Sequence, residues 1–379
     1  MFHPFAVEQF LSENEQAARF NFSESGVHPL SFAELCDVAH VDRDRLFAML
    51  VDYPEVNGTR LLRERIAAIY GADATQVLVT IGATEANTLV ANTLLGAGDN
   101  IVRFRPTYEQ LPGNAANRGI QVRDVDLVEA RGWAVDHAAL NAAVDAQTRI
   151  IHVVNPNNPT GRILSDADRD AIIAAAARVG AWIVADEVYA GTERGTDTPT
   201  RSFWGTYDRV IAINSMSKAY GLPGLRLGWM VAPSSVITDA WRRHEYASIA
   251  VSAMSMTLAE HALEPAARGA LMARARRLIR RGFETAETTL IDAGGMFSVV
   301  PPEASAMSFV RFDLPVTSGD LVTRLMAGPG VLVIPGHLFG FPQHFRISTA
   351  LPDGYLRQGL AGILDVAADI KAAPSHRAP

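Results

Sequence analysis

Short runs of β-branched residues that halt at Gly, Asn, Asp or Ser and give way to Ala-rich stretches constrain the fold of this chain more than any other feature: QVLVTIGAT, NIVRFRPTY, RIIHVVNPNNPTG, WIVADEVYAG and VIAINSMSKAYG. Strands alternating with helical stretches predict an α/β fold built on a mostly parallel, doubly wound sheet. Between two of these runs lies SDADRDAIIAAAARVG, in which Ser165 reads as an N-cap, Asp168 takes the capping-box position and Gly180 stops the helix. That is the crossover helix of a β-α-β unit. In open α/β sheets ligands bind in the crevice beyond the carboxyl ends of the strands, and Gly82, Tyr108, Asn158, Asp186 and Ser215 all fall at such ends. A single site where these ends meet is expected.

From about residue 290 the texture changes. GGMFSVVPPEASAMSFVRF, GVLVIPG and HFRISTA read as short antiparallel strands, with a helix near Ser318 to Met326. The expected division is a large domain over 46–289 and a smaller α+β domain over 290–379, with residues 1–45 contributing to the small domain and covering the active site. ALMARARRLIRRGFETAETTLIDAG reads as the long helical connection with its arginines on a solvated face, and PSHRAP as a loose tail.

At 379 residues, 48% hydrophobic and 20% charged, the chain can bury a large core. Its formal net charge of −7 gives no electrostatic reason to approach nucleic acid or an anionic membrane, so a small anionic ligand needs a local basic pocket. Cys36 stands alone, which leaves no intrachain disulfide and no thiolate cluster. The start lacks a basic stretch followed by a long apolar run, and no continuously apolar stretch reaches the roughly 18 residues of a membrane span. A cytoplasmic protein is expected. No HExxH spacing occurs and no G-x-G-x-x-G follows the first strand, which disfavours a metal hydrolase and a dinucleotide-binding protein; no metal site is expected.

Of the 34 Lys and Arg residues only Lys218 and Lys371 are lysines. A composition that avoids lysine has kept one in mid-chain, in NSMSKAYGLPGLRLGW, just past an apolar strand and shortly before Arg226. A lysine at a strand end is ordinarily an exposed one. In a partly desolvated pocket near a second cation, however, its pKa falls and the amine can attack an aldehyde. The spacing Ser215-x-Ser217-Lys218-x-x-Gly221-x-x-x-x-Arg226-x-Gly228 resembles the cofactor-attachment signature of the class I and II aminotransferases.

What this resemblance implies is a fold type I transferase dependent on pyridoxal 5′-phosphate (PLP), held by Lys218 as a Schiff base. PLP makes further demands that the sequence can be searched for. Its ring nitrogen stays protonated only against a fixed carboxylate, and Asp186 at the end of an apolar strand is the candidate, with Tyr189 donating to the phenolic oxygen. Alone, D-E-x-Y would read as strand-end capping. Its phosphate needs an anion cradle, which Gly82, Ala83 and Thr84 offer at a helix N-terminus, with Ser215, Ser217 and Arg226 completing it. A strand–Gly–helix turn alone is weak, being common in α/β proteins.

The resemblance also assigns Tyr108 in FRPTYEQ to stacking on the cofactor, in the catalytic group with Lys218 and Asp186. Asn158 in NPNNPTG would contact the phenolic oxygen and the substrate carboxylate. Arg346 in HFRISTA would grip the α-carboxylate, a task suited to its planar fork. Tyr53 in DYPEVNG matches a tyrosine that reaches the phosphate in the neighbouring subunit, which implies a homodimer with shared active sites.

The implied chemistry on an α-amino acid runs through an external aldimine and a Cα carbanion, with the freed Lys218 as general base. An aminotransferase is the default. The rival is a cyclase, an elimination or replacement enzyme or an oxidative enzyme of specialised biosynthesis. SESGVHPLSFAEL and GVLVIPGHLFG are similar to capreomycidine synthase, which cyclises a hydroxylated arginine, and a looser likeness to 1-aminocyclopropane-1-carboxylate synthase keeps S-adenosylmethionine open as substrate. On that branch Gly26 would lie against the substrate carboxylate with His28 close by. His28 reads either as a local hydrogen-bonding residue or as an acid or base. A third reading, a noncatalytic PLP-fold domain of the sort fused to DNA-binding regulators, lacks its helix-turn-helix segment here.

Overall fold

Seven strands form the main sheet, in the order Val77–Thr80, Gly228–Val231, Val210–Ser215, Trp182–Asp186, Thr148–Val154, Asn100–Arg105, Gln121–Asp126. The structure is a computed structural model and describes residues 2–291 and 294–372; the tail PSHRAP and residues 292–293 of the expected connection lie outside the described residues. Every neighbouring pair is parallel except the two made by Gly228–Val231, which runs antiparallel to both its neighbours. Val210–Ser215 is buried along its whole length, as a central strand covered on both faces must be, and so reads in sequence as an unbroken apolar run. The helix Asp166–Val179 carries the expected capping box between Ser165 and Asp168 and ends on Gly180 at φ 70°.

Two strands of this sheet, Gly228–Val231 and Gln121–Asp126, were not among those expected. The first is four residues long and follows directly on the lysine motif; the second is an edge strand with mixed polar and apolar residues. Neither length nor alternation marks them as strands until their partners are in position.

The second sheet has four antiparallel strands in the order Ile334–Pro335, His344–Ser348, Met307–Phe312, Phe297–Val299, flanked by the helix Ser318–Ala327. Val331–Leu332 leaves it and pairs in parallel with Phe20–Asn21. The N-terminal residues do not act as one unit. Phe20 and Phe22 pack with Leu332, Phe345 and Leu360 beside the smaller sheet, while Val7 packs with Val102 and Phe104, and Leu35, Cys36 and Leu46 with Leu62, Ile66 and Trp229, on the main sheet. Each short apolar group goes to the nearest face it can cover, because ~25 cal/mol per Å² of buried apolar area favours coverage wherever it is available.

The helix Pro265–Ala286 runs past both sheets, with Leu271 in the core of the larger, Ala275 and Ile279 against Val27 and Ala350, and Ala286 beside Phe297. Its arginines depart from the expected solvated face. Arg277 and Arg281 are exposed, but Arg276 is buried and pairs with buried Glu193 at 2.9 Å, and Arg274 donates to the carbonyl of His28 at 2.8 Å. A stripe of like charges gives no clue which member will find a buried partner.

Candidate active site

The carboxyl ends of the central strands open on a cavity of about 260 Å³ lined by Ala83, Thr84, Tyr108, Asn158, Asp186, Tyr189, Ser215, Ser217, Lys218 and Arg226. Gly82 begins the helix Gly82–Leu94 immediately before it. Strand register explains the meeting of residues so distant in the chain. Gly228 is the partner of Thr80 on one side and of Ser215 on the other, so the turn after Thr80, the turn after Ser215 and Arg226 are drawn together. The approach is close: a Cβ on Gly228 would lie 2.5 Å from the carbonyl carbon of Gly82 and 2.6 Å from the nitrogen of Ala83. Gly82 itself has φ +68°, and a Cβ there would stand 2.7 Å from the Arg226 guanidinium. Arg226 is held at φ 47°, a left-handed conformation that costs a non-glycine residue about 1–3 kcal/mol and persists where the surroundings enforce it. The result is an open helix N-terminus, whose first N–H groups lack intrahelical partners, facing an arginine.

Asp186 is only 4% exposed, and burial raises its pKa to about 6. Its carboxylate accepts from the Asn87 side-chain amide at 3.2 Å and from the Val188 N–H at 3.3 Å. Lys218 donates to Ser25 Oγ at 2.8 Å, and burial pushes its pKa below the usual lysine value. Tyr189 is buried, which raises its phenol, and it accepts from Asn158 Nδ2 at 3.2 Å. Tyr108 donates to Glu8 at 2.7 Å and packs against the Phe5 ring with centroids 4.8 Å apart.

Arg346 is 2% exposed and burial lowers its pKa. It donates to Asn158 Oδ1 at 3.0 Å and to the Ser23 carbonyl at 2.5 Å, while its Nε has no partner among the described residues. It opens onto a small cavity of about 160 Å³ shared with Glu8, Glu15, Glu24, Tyr108 and Lys218. On the other side of Lys218 lies a more apolar cavity of about 400 Å³, lined by Gly26, Val27, His28, Leu351 and Tyr355 among others. A Cβ on Gly26 would meet the Ser217 carbonyl at 3.2 Å. His28 stands at the edge of this space with its pKa lowered, first by burial and then by Arg274.

The exception is Tyr53, which is 79% exposed and lines none of these cavities within its own chain. Three further residues at the site had no role assigned from sequence: Ser25, Asn87 and Glu8. Asn87 left a faint signal, a polar residue on the otherwise apolar buried face of its helix. Ser25 lies within the stretch SESGVHPLSFAEL, but neither it nor Glu8 showed its role, since their partners lie 193 and 100 residues away.

The residues fit PLP. A glycine cradle that a Cβ would fill, a buried carboxylate held by an amide, a buried phenol and a lysine amine surround one space. Such a site on this sheet defines a PLP-dependent enzyme of the aminotransferase fold. The chain belongs to the aminotransferase class I and II family, whose model matches residues 32–363 and whose members use pyridoxal 5′-phosphate. It is 32% identical to capreomycidine synthase of Streptomyces vinaceus over 365 residues, 94% of this chain and 92% of that one. Among solved structures it is similar to a PLP-dependent aminotransferase from Streptococcus suis, with TM-score 0.91, 26% identity and coverage of 97% of this chain and 98% of the other. It is also similar to the PLP-dependent cyclase OrfR, with TM-score 0.88, 27% identity and the same coverage.

Proposed function

We propose that this enzyme acts at the Cα of an α-amino acid and that amino transfer is the reaction its core supports best. The observation that carries this reading is the convergence of Lys218, Asp186 and Arg346 on connected space. The fork of Arg346, oriented by Asn158, would receive the α-carboxylate, whereas Gly26 lines the cavity on the other side of Lys218. Asp186 would face the cofactor ring nitrogen, Tyr189 and Asn158 its phenolic oxygen, and Tyr108 the ring. The Gly82–Thr84 turn, Ser215, Ser217 and Arg226 would hold the phosphate. When bound, PLP supplies an electron sink for charge developing at Cα. Lys218 Nζ then takes the Cα proton, and burial keeps more of the amine in the neutral form this needs.

One observation favours a second outcome. The cavity beside Arg346 presents Glu8, Glu15 and Glu24, which suits a cationic side chain such as an arginine-derived or S-adenosylmethionine substrate brings, and suits a dicarboxylate amino acceptor poorly. Cyclisation or elimination at the side chain is then the reaction, in keeping with the two cyclases among its relatives.

The homodimer belongs to the same reading: exposed Phe47, Leu50, Val51 and Tyr53 form an apolar stretch of the kind that subunit contacts cover. So do a cytoplasmic location and the division into a large domain over 46–289 and a smaller one beyond it. Among the described residues no helix is long and apolar enough to cross a membrane.

The test is to incubate the PLP-loaded protein with amino acids, a hydroxylated arginine and S-adenosylmethionine, with pyruvate or 2-oxoglutarate present, and identify products by mass spectrometry. A 2-oxo acid with an aminated acceptor supports amino transfer. A product that keeps its α-amino nitrogen and loses a side-chain group sinks it in favour of the second outcome. Lys218→Ala should abolish either.

A further inference from the structure

Ser25 lies on the extended segment between Phe20–Asn21 and the helix Phe32–Val38 and is 7% exposed. Its Oγ is the hydrogen-bond acceptor of the Lys218 amine, at 2.8 Å. In the same cavity the Tyr189 phenol accepts from Asn158 at 3.2 Å and Asn158 accepts from Arg346 at 3.0 Å, and Arg346 returns to the segment through the Ser23 carbonyl at 2.5 Å. Two backbone positions apart, Ser23 and Ser25 therefore touch both the arginine and the lysine of the site.

We propose that Ser25 is a catalytic residue: its Oγ holds the free amine of Lys218, aims the nitrogen lone pair into the cavity, and stabilises the ammonium formed when that amine takes the Cα proton. This rests on the reading of Lys218 as the base. In the step, the Cα–H bond breaks and an N–H bond forms on Nζ, while the electron pair stays with the carbon. A buried ammonium is disfavoured by its surroundings, and a hydroxyl lone pair at hydrogen-bond distance offsets part of that cost. The charges facing Nζ are Glu24 and Glu8, which favour the ammonium, and Arg346 and Arg226, which oppose it. Asp186, at the end of the neighbouring strand, lines the same cavity. Ser25 is the neutral group in direct contact.

The chain offers a clean measurement, because its other lysine, Lys371, is exposed and serves as an internal reference. The rate of carbamylation of each lysine in the full-length cofactor-free protein, followed by peptide mass spectrometry across pH, reports the amine titration. In Ser25→Ala the Lys218 titration should move down by about one pH unit with Lys371 unmoved, and Ser25→Thr, which keeps the hydroxyl, should restore it. With PLP restored, exchange of the Cα hydrogen in heavy water, for whichever of L-arginine, L-alanine and L-aspartate exchanges, should slow at least tenfold in kcat with little change in KM. A Lys218 titration in Ser25→Ala equal to wild type overturns the proposal. Exchange undiminished in Lys218→Ala would instead overturn the reading of the base, whatever Ser25 does.

Discussion

At the scale of single residues, the buried ionic groups are costs that a ligand relieves. Burial raises Asp186 from an ordinary 3.8 to about 6, so without a cation opposite it the folded protein binds a proton that the unfolded chain releases. Stability then falls as pH rises from about 4 to 6 and stays lowered above that. A difference of this size corresponds to on the order of 3 kcal/mol as an upper bound. Asp186→Asn should therefore stabilise the cofactor-free protein in urea at pH 8 by up to about 3 kcal/mol and leave it unchanged near pH 3.5, while slowing Cα exchange in the loaded enzyme. Equal effects at both pH values would mean that the carboxylate charge is not the cause. Arg346 is the complementary case, a buried guanidinium whose bonds go to an amide and a backbone carbonyl. Arg346→Ala should weaken amino-acid binding by about 2–5 kcal/mol, since a substrate carboxylate would then be buried unpaired. Arg346→Lys should recover only part, because one ammonium cannot present a parallel fork. Unchanged apparent affinity in both variants, measured by calorimetry, would assign the carboxylate to another partner.

Among the elements, the antiparallel strand Gly228–Val231 does most to shape the site, because it brings the Thr80 and Ser215 turns into register on its first residue. Gly228→Ala would force a methyl to within 2.5 Å of the Gly82 backbone, where no side-chain rotation can yield. The strand or the helix start must shift, at a cost of roughly 1–3 kcal/mol, and the phosphate cradle shifts with it. Cofactor affinity, read by absorbance titration, should fall tenfold or more. Gly269→Ala is the control: that glycine is exposed on the helix Pro265–Ala286 with nothing within 4 Å of the added carbon, and the change should stabilise by about 0.5–1 kcal/mol without touching cofactor binding. If both variants behave alike, the close approach at Gly228 is not what shapes the cradle.

Across the whole molecule, Phe47 at 79%, Leu50 at 82% and Tyr53 at 79% exposure are expensive to leave in water. On the homodimer proposal, replacing Phe47 and Leu50 together by Asp should give monomers in sedimentation velocity where the unchanged chain gives dimers, and should remove activity if subunits share sites. Mixing Tyr53→Ala with Lys218→Ala chains tests the sharing directly: a two-fold dimer that exchanges subunits regains roughly a quarter of its active sites. No recovery, with exchange verified by mass spectrometry, would confine Tyr53 to its own chain.

The sequence by itself determined what short-range chemistry determines. The capping box of Asp166–Val179 and the lysine motif from Ser215 to Gly228 join residues within one turn or one loop, so they leave a spacing that can be read. The candidate residues at strand ends were legible for the same reason, each strand carrying its own apolar run and its own stop. Tertiary structure alone decided the rest. Asn87 reaches Asp186 across 99 residues, Arg346 reaches Asn158 across 188 and Ser25 reaches Lys218 across 193. The insertion of Gly228–Val231 between two other strands and the split loyalty of the first 45 residues belong to the same class. A hydrogen bond between residues so far apart imposes no period on either stretch of chain. It forms because the sheet register and the packed helices have already brought the two groups within reach.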